Sequence, residues 1–407
     1  MAFWSGLGFA IGSVVTVVWY LVLLNRYSLS ESGAILLWLG AAGSLGLCDF
    51  GLSVWAIGVV SELVGSGQIS CVEKLSAAIR WQTFFIFSSA AAIFGGVASY
   101  FGWIDGFSWE QIPAFAAFVI SAQLILIEVS VLKGLRLVRD ATIVQVAAVI
   151  ITYGFSIPVL CCVGSFEVVT SCMAIWSSVS VVIVTAYCRI IVRKKLRGVV
   201  RESVPRSILF IERMSGSIKL FPQMVAGIFF AHTLRFLVAA FSGLSAVTLV
   251  TTSFMIASRL HALANAFIEV LYPMARVAGD AGISLKYIYM RIWLILFPPF
   301  AIGAGSLAFV FASSDQRFTE LILLFSLGTW MAVLGAPRVH IANAAGRGIV
   351  ISIISIGMIV LFSGLCITLT VCVSMDLRLY AICYLIAQAA ATLTMPKIEP
   401  ANFRRFF

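Results

Sequence analysis

Twelve apolar runs, most about the 20 residues that carry an α-helix across a bilayer core, follow one another almost without interruption. They fall near residues 3–24, 33–60, 81–103, 112–132, 142–162, 168–188, 218–241, 244–272, 288–312, 320–342, 349–373 and 377–396. A chain that is 61% hydrophobic and 11% charged has too little polar surface to wrap a water-soluble core of ordinary composition. The expected fold is therefore all-α and polytopic, with about twelve transmembrane helices in two pseudo-symmetric six-helix bundles.

The charges sort cleanly across that arrangement. With the N-terminus inside, twenty-two of the 27 Lys and Arg residues fall in segments facing one side, from Lys74 and Arg80 to Lys397, Arg404 and Arg405. Only Arg26, Arg317 and Arg378 face the other side, while Arg235 and Arg259 lie inside spans. Such an excess of cations marks the cytoplasmic side. The expected location is the bacterial inner (plasma) membrane, multi-pass, with both termini cytoplasmic. The first apolar run lacks a basic n-region and a small-residue cleavage site, so it reads as a retained helix.

The longest polar stretch runs from Arg189 to about Lys219 and carries nine of the cations. It divides the chain into an N-terminal bundle (1–188), a basic cytoplasmic linker (189–217) and a C-terminal bundle with a short cytoplasmic tail (218–407). Apolar residues interleaved with the charges suit a helix lying on an anionic leaflet, and a solvated loop obeying the same charge rule fits as well. The basic residues adjoin membrane ends, so nucleic acid is not an expected partner. Nine cysteines are scattered, and they show neither a disulfide framework nor a metal spacing. The chain also lacks a phosphate-cradling glycine loop and a nucleophile elbow. Neither an enzyme site nor a cofactor is expected.

The segment RYSLSESGAILLWLGAAGSLGLCDFGLSVWAIGVVSELVGSGQ (26–68), with Asp49, Phe50, Gly51 and Leu52, resembles the start of bacterial polysaccharide flippases of the O-antigen exporter type. These belong to the multidrug/oligosaccharidyl-lipid/polysaccharide exporter superfamily. Residues 242–279, with Tyr272 and Pro273 near the cytoplasmic end, similarly resemble the eighth helix of that family, and span number and spacing extend the likeness over essentially the whole chain. Family members often carry an acidic residue late in the seventh helix, where this chain has Arg235, so no ion-coupling role carries over to that position. The resemblance implies movement of an undecaprenyl-pyrophosphate-linked oligosaccharide from the cytoplasmic to the periplasmic leaflet, for O-antigen, capsule or exopolysaccharide assembly. It implies as partners the lipid-linked oligosaccharide, membrane lipids, a coupling proton or sodium ion, and the polysaccharide polymerase and chain-length machinery. A multidrug or small-molecule extruder of the same superfamily and a membrane-embedded glycosyltransferase or polymerase are the alternatives.

Such cargo carries a pyrophosphate and a sugar head, so it needs a polar, cationic interior shielded from lipid. Arg259 lies near the middle of the eighth run, where an arginine costs roughly 2.5–3.5 kcal/mol on insertion scales, so it is expected to face the interior or water. At helical spacing Thr248, Thr252 and Met255 fall on its side of the helix. Arg259 either contacts cargo or pairs with a buried acid such as Asp49. Arg235 is a second cargo candidate, close enough to the outer end of its run to reach the headgroups. The ion-coupling candidates are Asp49, Glu269 and His261. Asp49 is bracketed by Gly46 and Gly51, where a helix can bend, and its carboxylate carries either a coupling ion or an ion pair. Glu269 has a nearby partner in Arg276. Glu128 is expected to pair with Lys133 at the interface, and His232 to be a hydrogen-bonded interior imidazole.

Overall fold

A computed structural model gives the fold. It describes residues 2–65, 68, 71–102, 107–162, 164–196, 221, 225, 227–268, 292–313, 315–344, 348–372 and 376–395. Among the described residues every regular element is helical. The chain separates into two compact units, residues 3–224 and 225–407.

The N-terminal unit contains α1 (Ala2–Arg26), α2 (Leu29–Ser44), α3 (Leu52–Gly65), α4 (Cys71–Phe101), α5 (Ile112–Gly134), α6 (Val138–Val149), α7 (Ile157–Cys162) and α8 (Phe166–Leu196). A capping box opens α2. The Ser28 hydroxyl accepts from the Glu31 N–H, and the Glu31 carboxylate accepts from the Ser28 N–H at 2.9 Å, so two N–H groups that the helix start leaves open are satisfied reciprocally. Every residue of α2 from Ser32 to Ala42 is buried, which is how a helix apolar on all sides behaves at the centre of a bundle. The α5 helix packs on α3, α4 and α8. Gly134 permits the α3 contact, because a Cβ there would lie 2.6 Å from Val60 Cβ. Gly8 similarly lets α1 approach Thr142 of α6, a use of small residues typical of membrane bundles. The α4 helix exposes Trp81, Phe84 and Phe85. The free thiols differ in access, with Cys71 and Cys188 buried while Cys161 and Cys162 are exposed at the end of α7.

Two expectations are corrected in this unit. The second apolar run is not one continuous helix. After α2 the chain tightens into a 3₁₀ turn at Leu45–Asp49, Phe50 adopts a left-handed conformation (φ 44°) and Gly51 follows at φ 83° before α3 begins. Glycine holds such angles without a Cβ clash, whereas Phe50 is strained there. The sixth run, expected to end near residue 188, continues as helix to Leu196. It carries Arg189, Arg193 and Lys194 of the expected linker, and Arg193 pairs with Glu73 at 3.4 Å. Residues 197–217 of that linker lie outside the described residues.

The C-terminal unit contains α9 (Leu234–Ser242), α10 (Leu244–Ile268), α11 (Phe297–Ala312), α12 (Arg317–Ala344), α13 (Gly348–Cys372) and α14 (Leu377–Thr394). Single π-helical turns at Phe229–Thr233 and Ile292–Leu296 lead into α9 and α11. The α12 helix packs against both α10 and α14, and α13 packs against α14. Edge-to-face and tilted contacts join Phe230, Phe254, Phe325, Phe362 and Tyr384 across these helices, with ring centroids 5.2–5.7 Å apart. That separation is within the favourable range for aromatic pairs.

Ten helices among the described residues are long and apolar enough to cross a membrane, and Ala10–Arg26, Trp55–Val64 and Phe229–Ser242 are shorter apolar helices. The chain is a multi-pass membrane protein, as its run lengths predict.

Candidate functional site

A group of buried polar side chains belongs to the C-terminal unit. Arg235 stands in the first turn of α9 and is 2% exposed, within a helix whose other residues are apolar or small. His232 belongs to the π-helical turn just before it. The guanidinium groups of Arg235 and Arg259 both lie within electrostatic reach of the His232 imidazole, although Arg259 follows His232 by 27 positions in sequence. Arg259 is partly buried, and its Nε is wholly enclosed with no hydrogen-bond partner among the described residues. A guanidinium is planar, permanently charged and presents five donors. Held inside an apolar bundle with a donor unused, it is equipped to receive phosphate or carboxylate oxygens.

The same helix contributes hydroxyls. Thr248, Thr251, Thr252 and Ser253 are all buried, with Thr248, Thr252 and Ser253 completely enclosed. The hydroxyls of Thr251, Thr252 and Ser253 have no hydrogen-bond partner among the described residues. Buried Ser and Thr in a helix ordinarily donate to the carbonyl one turn back, and leaving such a group unmet costs about 1–3 kcal/mol. The α10 helix thus carries an unsatisfied polar segment within two turns of Arg259. His261, two residues further on, is partly buried. Glu269 and its expected partner Arg276 lie outside the described residues.

Asp49 is a feature of the N-terminal unit. It closes the 3₁₀ turn before the left-handed residue and is 3% exposed. Its Oδ2 accepts from the Ser53 N–H at 3.1 Å and from the Ser53 hydroxyl at 2.8 Å, which satisfies one of the open first-turn N–H groups of α3. Its Oδ1 is enclosed and has no hydrogen-bond partner among the described residues. The carboxylate therefore has a structural duty on one oxygen and an unused acceptor on the other.

Glu128 corrects the expected pairing with Lys133. Its partner is Arg80 of α4, which donates from Nε to Oε1 at 2.6 Å and from Nη2 to Oε2 at 3.3 Å. The Glu128 side chain is 1% exposed and that of Arg80 is 16% exposed. Nearby on the sequence, Asp140 of α6 accepts from the Tyr187 hydroxyl of α8 at 2.8 Å. Neither contact has a local sequence signal, because each links helices brought together only by packing. Among the described residues no group of three His, Cys, Asp or Glu side chains is placed to hold a metal ion.

No model of a protein family matches the chain, and no curated protein matches it. Solved structures do. A multidrug resistance MATE family transporter of the MOP superfamily in an inward-facing conformation aligns with a TM-score of 0.66 at 15% identity, covering 94% of this chain and 92% of that one. An outward-facing multidrug resistance MATE family transporter of that superfamily aligns with a TM-score of 0.61 at 14% identity, covering 97% and 93%. A MOP superfamily transporter from Pyrococcus furiosus, described as having a binding pocket of reverse polarity that suggests a different function, aligns with a TM-score of 0.60 at 13% identity, covering 96% and 93%. Over more than nine-tenths of its length, then, the chain has the fold of the MATE transporters, a fold of twelve helices in two bundles.

Proposed function

We propose that the chain is a flippase that moves a lipid-linked oligosaccharide from the cytoplasmic to the periplasmic leaflet of a bacterial inner membrane by alternating access. The observation that carries this reading is Arg259, an intramembrane guanidinium whose enclosed Nε has no hydrogen-bond partner among the described residues. Like Arg235, it lies within electrostatic reach of His232. Charged residues at membrane depth are expensive and are commonly retained for a substrate path, and arginine matches pyrophosphate oxygens bidentately. An organic cation would be repelled by the same group. The buried hydroxyls of Thr248 and Thr252 extend the polar lining toward a sugar head. The whole-length MATE fold supports transport by two related bundles, a design in which substrate lies between repeats. In this proposal residues 1–188 and 218–407 form the halves, residues 189–217 join them at the cytoplasmic face, and both termini are cytoplasmic. The free oxygen of Asp49 is assigned to a coupling proton or sodium ion.

Proteoliposomes loaded with a fluorescent undecaprenyl-pyrophosphate oligosaccharide test the reading through the fraction of headgroups that become accessible to a lectin outside. Arg259→Ala should reduce the rate at least tenfold while leaving membrane insertion intact, and Arg259→Lys should be milder. Asp49→Asn should slow transport and flatten its pH dependence. Wild-type flipping by Arg259→Ala overturns the assignment of the cargo residue. The second reading, extrusion of small molecules, is favoured by the multidrug resistance transporters that share the fold. It is supported instead if the wild-type protein drives efflux of ethidium but leaves the lipid-linked sugar in place.

A further inference from the structure

The C-terminal unit has an open concavity of about 500 Å³ where α9 ends and where α10, α12 and α14 begin, a volume within the range of small-ligand sites. Ser245 on its wall precedes Arg259 by fourteen residues of α10, or roughly 20 Å along a helix axis, so the two features are separate. Ala246 and Leu249 line it and are buried. The Phe241 ring stands on its wall, 44% exposed, and Ser242 contributes a hydroxyl that meets the Tyr380 hydroxyl at 3.0 Å.

The charges around this concavity select the ligand. Arg317 lines it and is locked to Asp315, with Nε 3.1 Å from both carboxylate oxygens and Nη2 2.7 Å from Oδ2. Hydrogen bonds from Arg317 hold the Asp315 carboxyl below the ordinary carboxylate range, so the pair stays ionised and its net charge is zero. Nη1 of Arg317 has no partner among the described residues, which leaves one edge of this exposed, paired guanidinium with two donors turned away from Asp315. Arg378 pairs with Glu320 and lies 3.9 Å from Asp376. Among the described residues Arg317 is the one charged residue on the wall and Asp315 neutralises it, so a phosphate gains little net attraction there and a bound cation is opposed. An aromatic face, two hydroxyls and a planar donor edge with no net positive charge match a neutral polyol that has an apolar face and an equatorial rim of hydroxyls.

We propose that this concavity is a carbohydrate subsite for one neutral pyranose unit, its C–H face laid on Phe241 and its hydroxyls bonded to Ser242, Ser245 and the open edge of Arg317. The subsite stands on this geometry alone. It rests on the flippase reading only for the source of the sugar, the head of a lipid-linked cargo arriving at the outer leaflet.

The test is saturation-transfer NMR of the detergent-purified full chain with methyl glucoside, methyl N-acetylglucosaminide and, as a separate arm, the lipid-linked oligosaccharide. At least one free glycoside should bind saturably. Phe241→Ala and Ser245→Val should each weaken that binding at least fivefold, and Phe241→Tyr, which keeps the ring, should retain it, all three with wild-type gel-filtration profiles. Absence of saturable binding by both glycosides overturns the subsite, as does binding that Phe241→Ala and Ser245→Val leave unchanged, even where flipping is intact. Free-glycoside binding that follows the variants in a protein that does not flip the lipid-linked sugar upholds the subsite and removes the cargo reading instead.

Discussion

Glu128 shows how far an individual side chain can be judged from its neighbours in sequence. Lys133, five residues downstream, looked like the natural partner, yet the carboxylate is met by Arg80, 48 residues upstream. The physical reason is that a 1% exposed carboxylate needs both oxygens satisfied, and the arginine fork supplies two donors where an ammonium at the helix end supplies a point charge. Removing one member of a buried pair strands the other, which typically costs about 3–5 kcal/mol. Arg80→Ala is therefore expected to lower unfolding stability by that amount in detergent denaturation, while the double change Arg80→Met with Glu128→Leu should restore most of it. A single variant as stable as wild type would show the pair to be unimportant. Asp49 was legible in part. Its flanking glycines signalled a bend, but the bond to Ser53 that makes it a helix-start cap depends on the left-handed turn between them.

Helices as units were far more legible. Length and apolarity alone locate a span, because a bilayer core demands about 20 such residues whatever the fold around them, and described helices occupy each of the twelve runs. Gly46 and Gly51 mark a bend between α2 and α3, but the full break into a 3₁₀ turn with a left-handed Phe50 has no local signal, because Phe50 has no preference for a positive φ. Close approaches are another property that only the packed helices reveal. At Gly328 of α12 an added Cβ would lie 2.6 Å from Cδ1 of the Tyr384 ring on α14, and that ring belongs to the aromatic core. Gly328→Val should push α12 from α14 and destabilise the protein by about 1–3 kcal/mol, the usual effect of overpacking. A melting temperature equal to wild type in the same detergent would contradict so tight an interface.

At the scale of the whole molecule, fold and cargo separate. Alignment over more than nine-tenths of the chain at 13–15% identity establishes the architecture, whereas substrate choice resides in particular side chains. Under the proposed flippase reading those are the guanidiniums of Arg235 and Arg259 and the buried hydroxyls of the same unit, residues that hydropathy treats only as interruptions. The orientation inferred from cation counts has a direct check in the thiols. Cys161 and Cys162 are exposed at the end of α7, while Cys71, Cys188, Cys366 and Cys383 are buried. A membrane-impermeant maleimide added to intact spheroplasts should label the adjacent pair, and the change of both to Ser should remove most of the signal. Labelling that appears only after lysis would invert the topology. The native sequence thus furnishes its own vectorial reporter, and sidedness can be read without engineering a single cysteine into the protein.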